Sequence, residues 1–175
     1  AAEELGHRDL HAVIVPGGFG ERGVEGKIAG VRWVRESKVP FLGICLGFQM
    51  AVIEYARHVA GINGANSTEF GSDPEHGVIS ELPDQKEIEG LGGTMRLGGQ
   101  DVALTAGSLA SYLYDNATFV RERFRHRFEV DPTYIDQLEQ AGLIFSGRHP
   151  EQPIMQVLEL PLHVHPYFMA AQYHP

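Results

Sequence analysis

The chain has 175 residues, 43% of them hydrophobic and 21% charged, with a formal net charge of −9; that is enough for one domain with a real core and too few for two full ones. The acidic balance argues against a nucleic-acid surface, which needs a basic face, and no apolar run approaches the ~20 residues of a membrane span. The N-terminus is polar with no signal-peptide core, and the single cysteine cannot form an internal disulfide, so a cytoplasmic protein acting on a small molecule is expected.

Residues 11–16 (HAVIVP) are a short apolar run stopped by Pro16 and the Gly17-Gly18 pair, the pattern of a buried strand ending in a loop. Residues 24–37 place Ile28, Val31, Trp33 and Val34 at helical spacing, and Lys38-Val39-Pro40 closes that helix. Residues 41–44 (FLGI) predict a second buried strand. Cys45-Leu46-Gly47 follows at once, and residues 48–61 (FQMAVIEYARHVAG) read as a helix ended by Gly61. Strand–helix alternation with apolar strands implies a parallel sheet covered on both faces.

Residues 63–100 are rich in Gly, Pro, Asn and charge and read as loops plus a hairpin around MRLGGQDVALT. Residues 119–130 look extended, and 132–141 predict a short helix stopped by Gly142. LIFSG, IMQVLEL and YFMAAQY predict three late strands, an antiparallel extension of the sheet. The expected class is α/β: a mostly parallel central sheet flanked by helices, with an antiparallel extension. A core strand begins only ten residues into the chain. We therefore expect a fragment that lacks its first strand–helix unit.

Cys45 lies in G-I-C-L-G between the second strand and its helix, the nucleophile-elbow pattern. So tight a turn needs small residues two before and two after the nucleophile, and Gly43 and Gly47 provide them. A helix N-terminus lowers a thiol's pKa and presents free N–H groups able to hold an oxyanion. A buried structural cysteine is the alternative; the flanking glycines favour the nucleophile. Such a thiol needs a base, and the nine histidines are His7, His11, His58, His76, His126, His149, His163, His165 and His174. His174 follows the last strand, and active sites in α/β sheets gather at strand ends. His163 and His165 alternate in PLHVHP without an accompanying ligand cluster, so they read as a solvated loop pair and no metal is expected.

GICLGFQ, PGGFGERG and QYHP together resemble the class I, triad-type glutamine amidotransferases. NSTEF, LGGTMRLG, RHRFEV, AGLIFSG and HPYFMAAQYHP, in that order, resemble more narrowly the glutaminase domains of the CTP synthases, over nearly the whole chain. The resemblance implies a flavodoxin-like amidotransferase fold, with residues 1–175 as the glutaminase domain. It implies Cys45 as nucleophile and His174 as general base. The N–H groups of Gly18 and Leu46 would form the oxyanion hole. Gln49, Glu69, Arg127 and the backbone of Phe128 would join Gly18 and Leu46 in binding L-glutamine. Glu69 and Arg127, ordinary surface charges if taken alone, would meet the amino acid's ammonium and carboxylate.

The resemblance further implies ammonia supplied for ATP-dependent amination of UTP to CTP. It implies no cofactor in this domain, ATP and magnesium on a covalently linked upstream synthetase domain, and a homotetramer. Another class I amidotransferase, such as the GMP-forming one, and a non-catalytic glutamine-binding or regulatory module are the competing readings. Phe48 stands where the family usually has Met, and Phe128 where it has Tyr. The family's His-Pro-Glu ends here at Pro175. The carboxylate that would orient His174 is thus the one triad member not in the sequence.

Overall fold

The structure, a computed structural model, describes residues 2–6, 9–70, 75–81 and 95–175. His7 and the first four residues of LGGTMRLG fall outside the described residues. The main sheet runs in the order β1 (Val13–Val15), β2 (Phe41–Ile44), β10 (Phe168–Ala171), β9 (Met155–Glu159), β8 (Ile144–Arg148), β5 (Arg96–Leu104), β6 (Phe119–His126). β1 and β10 flank β2 in parallel; the four remaining pairings are antiparallel. The antiparallel extension is therefore larger than the parallel part that carries the elbow.

β10 shows why these strands read as unbroken apolar runs. Phe168 and Ala170 belong to the larger core, while Met169 and Ala171 belong to a second core on the opposite face. Both faces are covered, so nothing in the strand alternates with polar residues. The larger core lies under α2 (Val24–Ser37) and α3 (Leu46–His58), with the Phe41 and Phe168 rings 4.7 Å apart. The smaller one lies under α4 (Leu109–Leu113), whose first N–H groups, on Leu109 and Ala110, donate to buried Glu159 at 2.8 and 3.0 Å.

Three expectations change. MRLGGQDVALT does not turn back on itself: Arg96–Leu104 is one strand, and its antiparallel partner is β6, over the register Arg96↔His126 to Ala103↔Phe119. Gly98 adopts φ +86° within that strand without ending it. Secondly, β3 (Ala65–Ser67), β4 (His76–Ser80) and β7 (Glu129–Val130) build a separate three-stranded sheet that the polar middle of the sequence did not signal. Thirdly, His165 is not a solvated loop residue like His163. It is buried, Nε2 donates to Val34 O at 3.0 Å, and Nδ1 accepts from the Tyr167 N–H at 3.2 Å. Desolvation holds its pKa below the ordinary value, which keeps the neutral ring those two bonds require. The short helix expected over 132–141 is a 3₁₀ turn, Pro132–Tyr134, leading into α5 (Ile135–Gln140).

α3 is buried from Leu46 through Ala56, including the carboxylate of Glu54, which is fully enclosed. A buried carboxylate is tolerated only when paired and hydrogen-bonded. Arg35 of α2 grips it with Nη2 at 2.8 Å and Nε at 2.9 Å, and His58 Nδ1 lies 3.3 Å away. Among the described residues no helix is long and apolar enough to cross a membrane.

The elbow explains its own glycines. A Cβ on Gly43 would lie 2.7 Å from Gly47 O and 2.8 Å from the Ala170 Cβ. A Cβ on Gly47 would run into the Val15 carbonyl oxygen. Neither obstacle is the tip of a flexible side chain, so no rotamer relieves it. Gly47→Ala is expected to destabilise the protein by about 3 kcal/mol or more, at the upper end of overpacking costs, measured as a loss of unfolding free energy in urea.

Candidate active site

Cys45 is held at φ +54°, ψ −101°, a backbone conformation that non-glycine residues rarely adopt. Its N–H donates to Ala171 O at 2.8 Å, and its C=O accepts from the N–H groups of Phe48 and Gln49 at 3.0 and 3.2 Å. The strained residue is thus fixed on one side to β10 and on the other to the first turn of α3. Its side chain meets a cavity of about 280 Å³ lined by Gly18, Phe19, Gln49, Glu69, Met95 and residues 125–128. That volume suits a single small polar molecule.

Burial pushes the Cys45 thiol up to about 11. The Leu46 N–H draws it down, the Glu69 carboxylate raises it further, and the Gln172 amide draws it down again. Desolvation therefore outweighs the helix terminus, contrary to the lowered pKa expected from position alone. The thiol is protonated at neutral pH and points its hydrogen at Arg125 O, 3.9 Å away. Attack by this sulfur requires a base.

His174 stands beside it. A Cβ built on Gly17 would lie 2.9 Å from His174 Cε1 and 3.5 Å from Cys45 Cβ, so the ring and the thiol side chain flank the same glycine. The His174 N–H donates to Arg123 O at 2.9 Å, an isolated bridge that ties the C-terminal segment to β6. Although the residue is exposed, partial desolvation and the positive fields of His126 and Arg125 hold its pKa below the ordinary histidine value. It is neutral at pH 7 and able to take a proton.

The other residues singled out by sequence converge on the cavity. Gly18 lines it and lies against Leu46, which is outside the lining: a Cβ at Gly18 would be 3.3 Å from Leu46 Cδ2. Glu69 Oε1 accepts from the Gly20 N–H at 3.0 Å and so straps the glycine-rich loop beside Cys45. Gln49 Nε2 donates to Phe128 O at 3.1 Å, and its buried Oε1 has no hydrogen-bond partner among the described residues. Arg127 is exposed at the cavity wall. One carboxylate and one guanidinium thus line a single space together with Gln49.

Sequence reasoning did not single out Phe19, Met95, Arg125, His126 and Gln172. His126 is buried with Nε2 3.2 Å from Glu129 Oε1, and Arg96 Nε holds that oxygen at 2.6 Å. Arg125 and His126 reach the cavity because β6 ends at His126 and β7 begins at Glu129 in a different sheet. The chain between the two wraps the cavity, and no local pattern announces that switch. Among the described residues no cluster of three or more His, Cys, Asp or Glu could hold a metal ion.

The chain is similar in sequence and fold to known proteins of one family. The family described as class I glutamine amidotransferase matches residues 1–175. The chain is 55% identical over 168 residues to a CTP synthase of Methanopyrus kandleri, covering 96% of the chain and 31% of that protein. It is 53% identical over 174 residues to a CTP synthase of Natronomonas pharaonis, covering 99% of the chain and 30% of that protein. The chain thus spans under a third of the length of these relatives. Among solved structures, the glutaminase domain of a Trypanosoma brucei CTP synthase with bound acivicin matches with a TM-score of 0.88 at 35% identity, over 99% of this chain and 66% of that one.

The contact between Gly17 and the His174 ring is open to a direct test. Gly17→Ala is expected to leave unfolding free energy within about 1 kcal/mol of the parent. It should slow alkylation of Cys45 by iodoacetamide at neutral pH by about tenfold or more, because the displaced ring no longer accepts the thiol proton.

Proposed function

The chain belongs to the class I glutamine amidotransferases, and on that footing we propose that it hydrolyses L-glutamine to glutamate and ammonia through a thioester on Cys45. The observation that carries this reading is the cavity at the elbow, where the Cys45 thiol faces a space walled by Glu69 and Arg127. A free amino acid brings one ammonium and one carboxylate, and these two side chains complement them. Gln49 lines the same space and contacts the substrate beside them. Phe128 contributes through its backbone, whose carbonyl already orients Gln49.

In the proposed cycle His174 takes the thiol proton as the sulfur attacks the glutamine carboxamide carbon. The N–H groups of Gly18 and Leu46 receive the oxyanion, at the head of α3 where the helix dipole favours negative charge. His174 then returns its proton to the departing nitrogen, and ammonia leaves a γ-glutamyl thioester. The neutral ring next deprotonates water, which attacks the thioester carbon; glutamate departs and the thiol is restored.

The relatives extend the reading to the longer protein of which they are named. There the ammonia would serve ATP-dependent amination of UTP to CTP on a covalently linked synthetase domain, with ATP and magnesium held outside this chain. We assign that protein to the cytoplasm as a homotetramer. Isotopically labelled glutamine nitrogen recovered in CTP would test the coupling, and its recovery in GMP would redirect the reading to the GMP-forming enzyme.

Cys45→Ala is expected to abolish glutamine hydrolysis while leaving the fold intact; retained hydrolysis would overturn the assignment. Arg127→Ala should raise KM for glutamine by roughly ten- to a hundredfold, the loss of about 1.5–3 kcal/mol for a hydrogen bond to a charged group. The pH profile follows from the two titrating groups. Because the His174 pKa is lowered, kcat/KM should fall on acidification only below the ordinary histidine pKa of about 6.5, as the ring becomes protonated. An acid limb lying above that value would contradict His174 as the base.

A further inference from the structure

Gln172 precedes Tyr173-His174 and is 1% exposed. Its side-chain Oε1 accepts from Gln49 Nε2 at 3.2 Å, while that same nitrogen donates to Phe128 O at 3.1 Å. Its backbone N–H is fixed to Gln156 O at 2.9 Å. An amide carries its acceptor and its donor on opposite corners of one plane, so fixing Oε1 toward Gln49 turns Nε2 away from it. That Nε2 has no hydrogen-bond partner of standard geometry among the described residues. A fully buried N–H group left without a partner is unusual and calls for a reason.

The reason lies at Cys45. The neutral thiol directs its proton to Arg125 O at 3.9 Å and offers little to a donor. Loss of that proton turns the sulfur into a strong acceptor. The Cys45 N–H donates to Ala171 O at 2.8 Å, and the parallel register that pairs Ala171 with Ile44 sets Gln172 alongside Cys45, where its amide favours the anion. We propose that Gln172, oriented by Gln49, is the side-chain donor that stabilises the Cys45 thiolate when His174 removes its proton. The unsatisfied amide is then a bond held in readiness: it costs stability in the resting protein and is completed only when charge develops on sulfur, which is how a preorganised dipole favours a charged intermediate. The other charged or titratable groups around the thiol are Glu69, which opposes the anion, and Arg125, His126, Arg127 and His174. None of them is substituted in the test.

The single cysteine makes the test clean, since cysteine labelled with carbon-13 at Cβ gives one resonance, that of Cys45. Its chemical shift, followed up to about pH 10.5 without substrate, reports the thiolate fraction directly. In Gln172→Met, which keeps bulk and removes the donor, the titration should move up by about one pH unit, cutting the thiolate fraction at a given pH about tenfold. Gln172→Glu should move at least as far, because a carboxylate oxygen replaces the donor while the other still accepts from Gln49. A folded Met variant whose titration superimposes on the parent overturns the proposal, even if the Glu variant shifts. If the Met variant does not fold, a Glu variant superimposing on the parent overturns it. The proposal rests on Cys45 being the nucleophile, but this readout involves no glutamine. A failure of glutamine hydrolysis as the function would therefore appear separately, as activity retained in Cys45→Ala.

Discussion

Between β2 and α3 the backbone passes so near Val15 and Ala170 that neither Gly43 nor Gly47 can carry a side chain. Much of the site follows from this close approach. It lets the chain reverse from strand to helix within one residue, and it forces Cys45 into a left-handed backbone conformation. The thiol is thereby set at the end of the parallel strands and the first turn of α3 beneath it. Gly17 obeys the same constraint from the other side: only a residue without a Cβ lets the His174 ring come this close to Cys45. Contact at van der Waals distance, more than charge, arranges Cys45 and His174.

The electrostatics then decide how the pair works. A helix N-terminus alone would lower the thiol pKa. Here burial dominates and the thiol is raised to about 11, while the neighbouring histidine is held neutral. The resting site is therefore an uncharged thiol and imidazole, not a preformed ion pair. In the proposed cycle proton transfer would accompany attack, and the groups that would matter most are those completed by the developing negative charge.

Buried carboxylates brace the surrounding scaffold. Glu54 joins α2 to α3, Glu159 holds the start of α4 onto β9, and Glu129 ties Arg96 to the cavity wall at His126. Each is paired, as burial demands, and each links elements distant in sequence. In the sequence they are indistinguishable from solvated acids, since what pairs them is the packing of separate segments.

The order and type of the early elements, the elbow glycines and the candidacy of Cys45 and His174 were legible in the sequence. They depend on local rules: apolar runs make strands and helices, and a turn this tight admits only glycine at its flanks. The resemblance carried Gln49, Glu69, Arg127 and Phe128, and the fold brings all of them to one cavity. Other features were decided only by tertiary structure. MRLGGQDVALT is a single strand because a partner, β6, waits more than a dozen residues downstream. His165 is buried because α2 offers it a carbonyl, and Gln172 falls alongside Cys45 because β10 lies beside β2. Local sequence settles which side chains are chemically capable; long-range pairing settles which of them meet, because that choice is made by contacts between residues far apart in the chain.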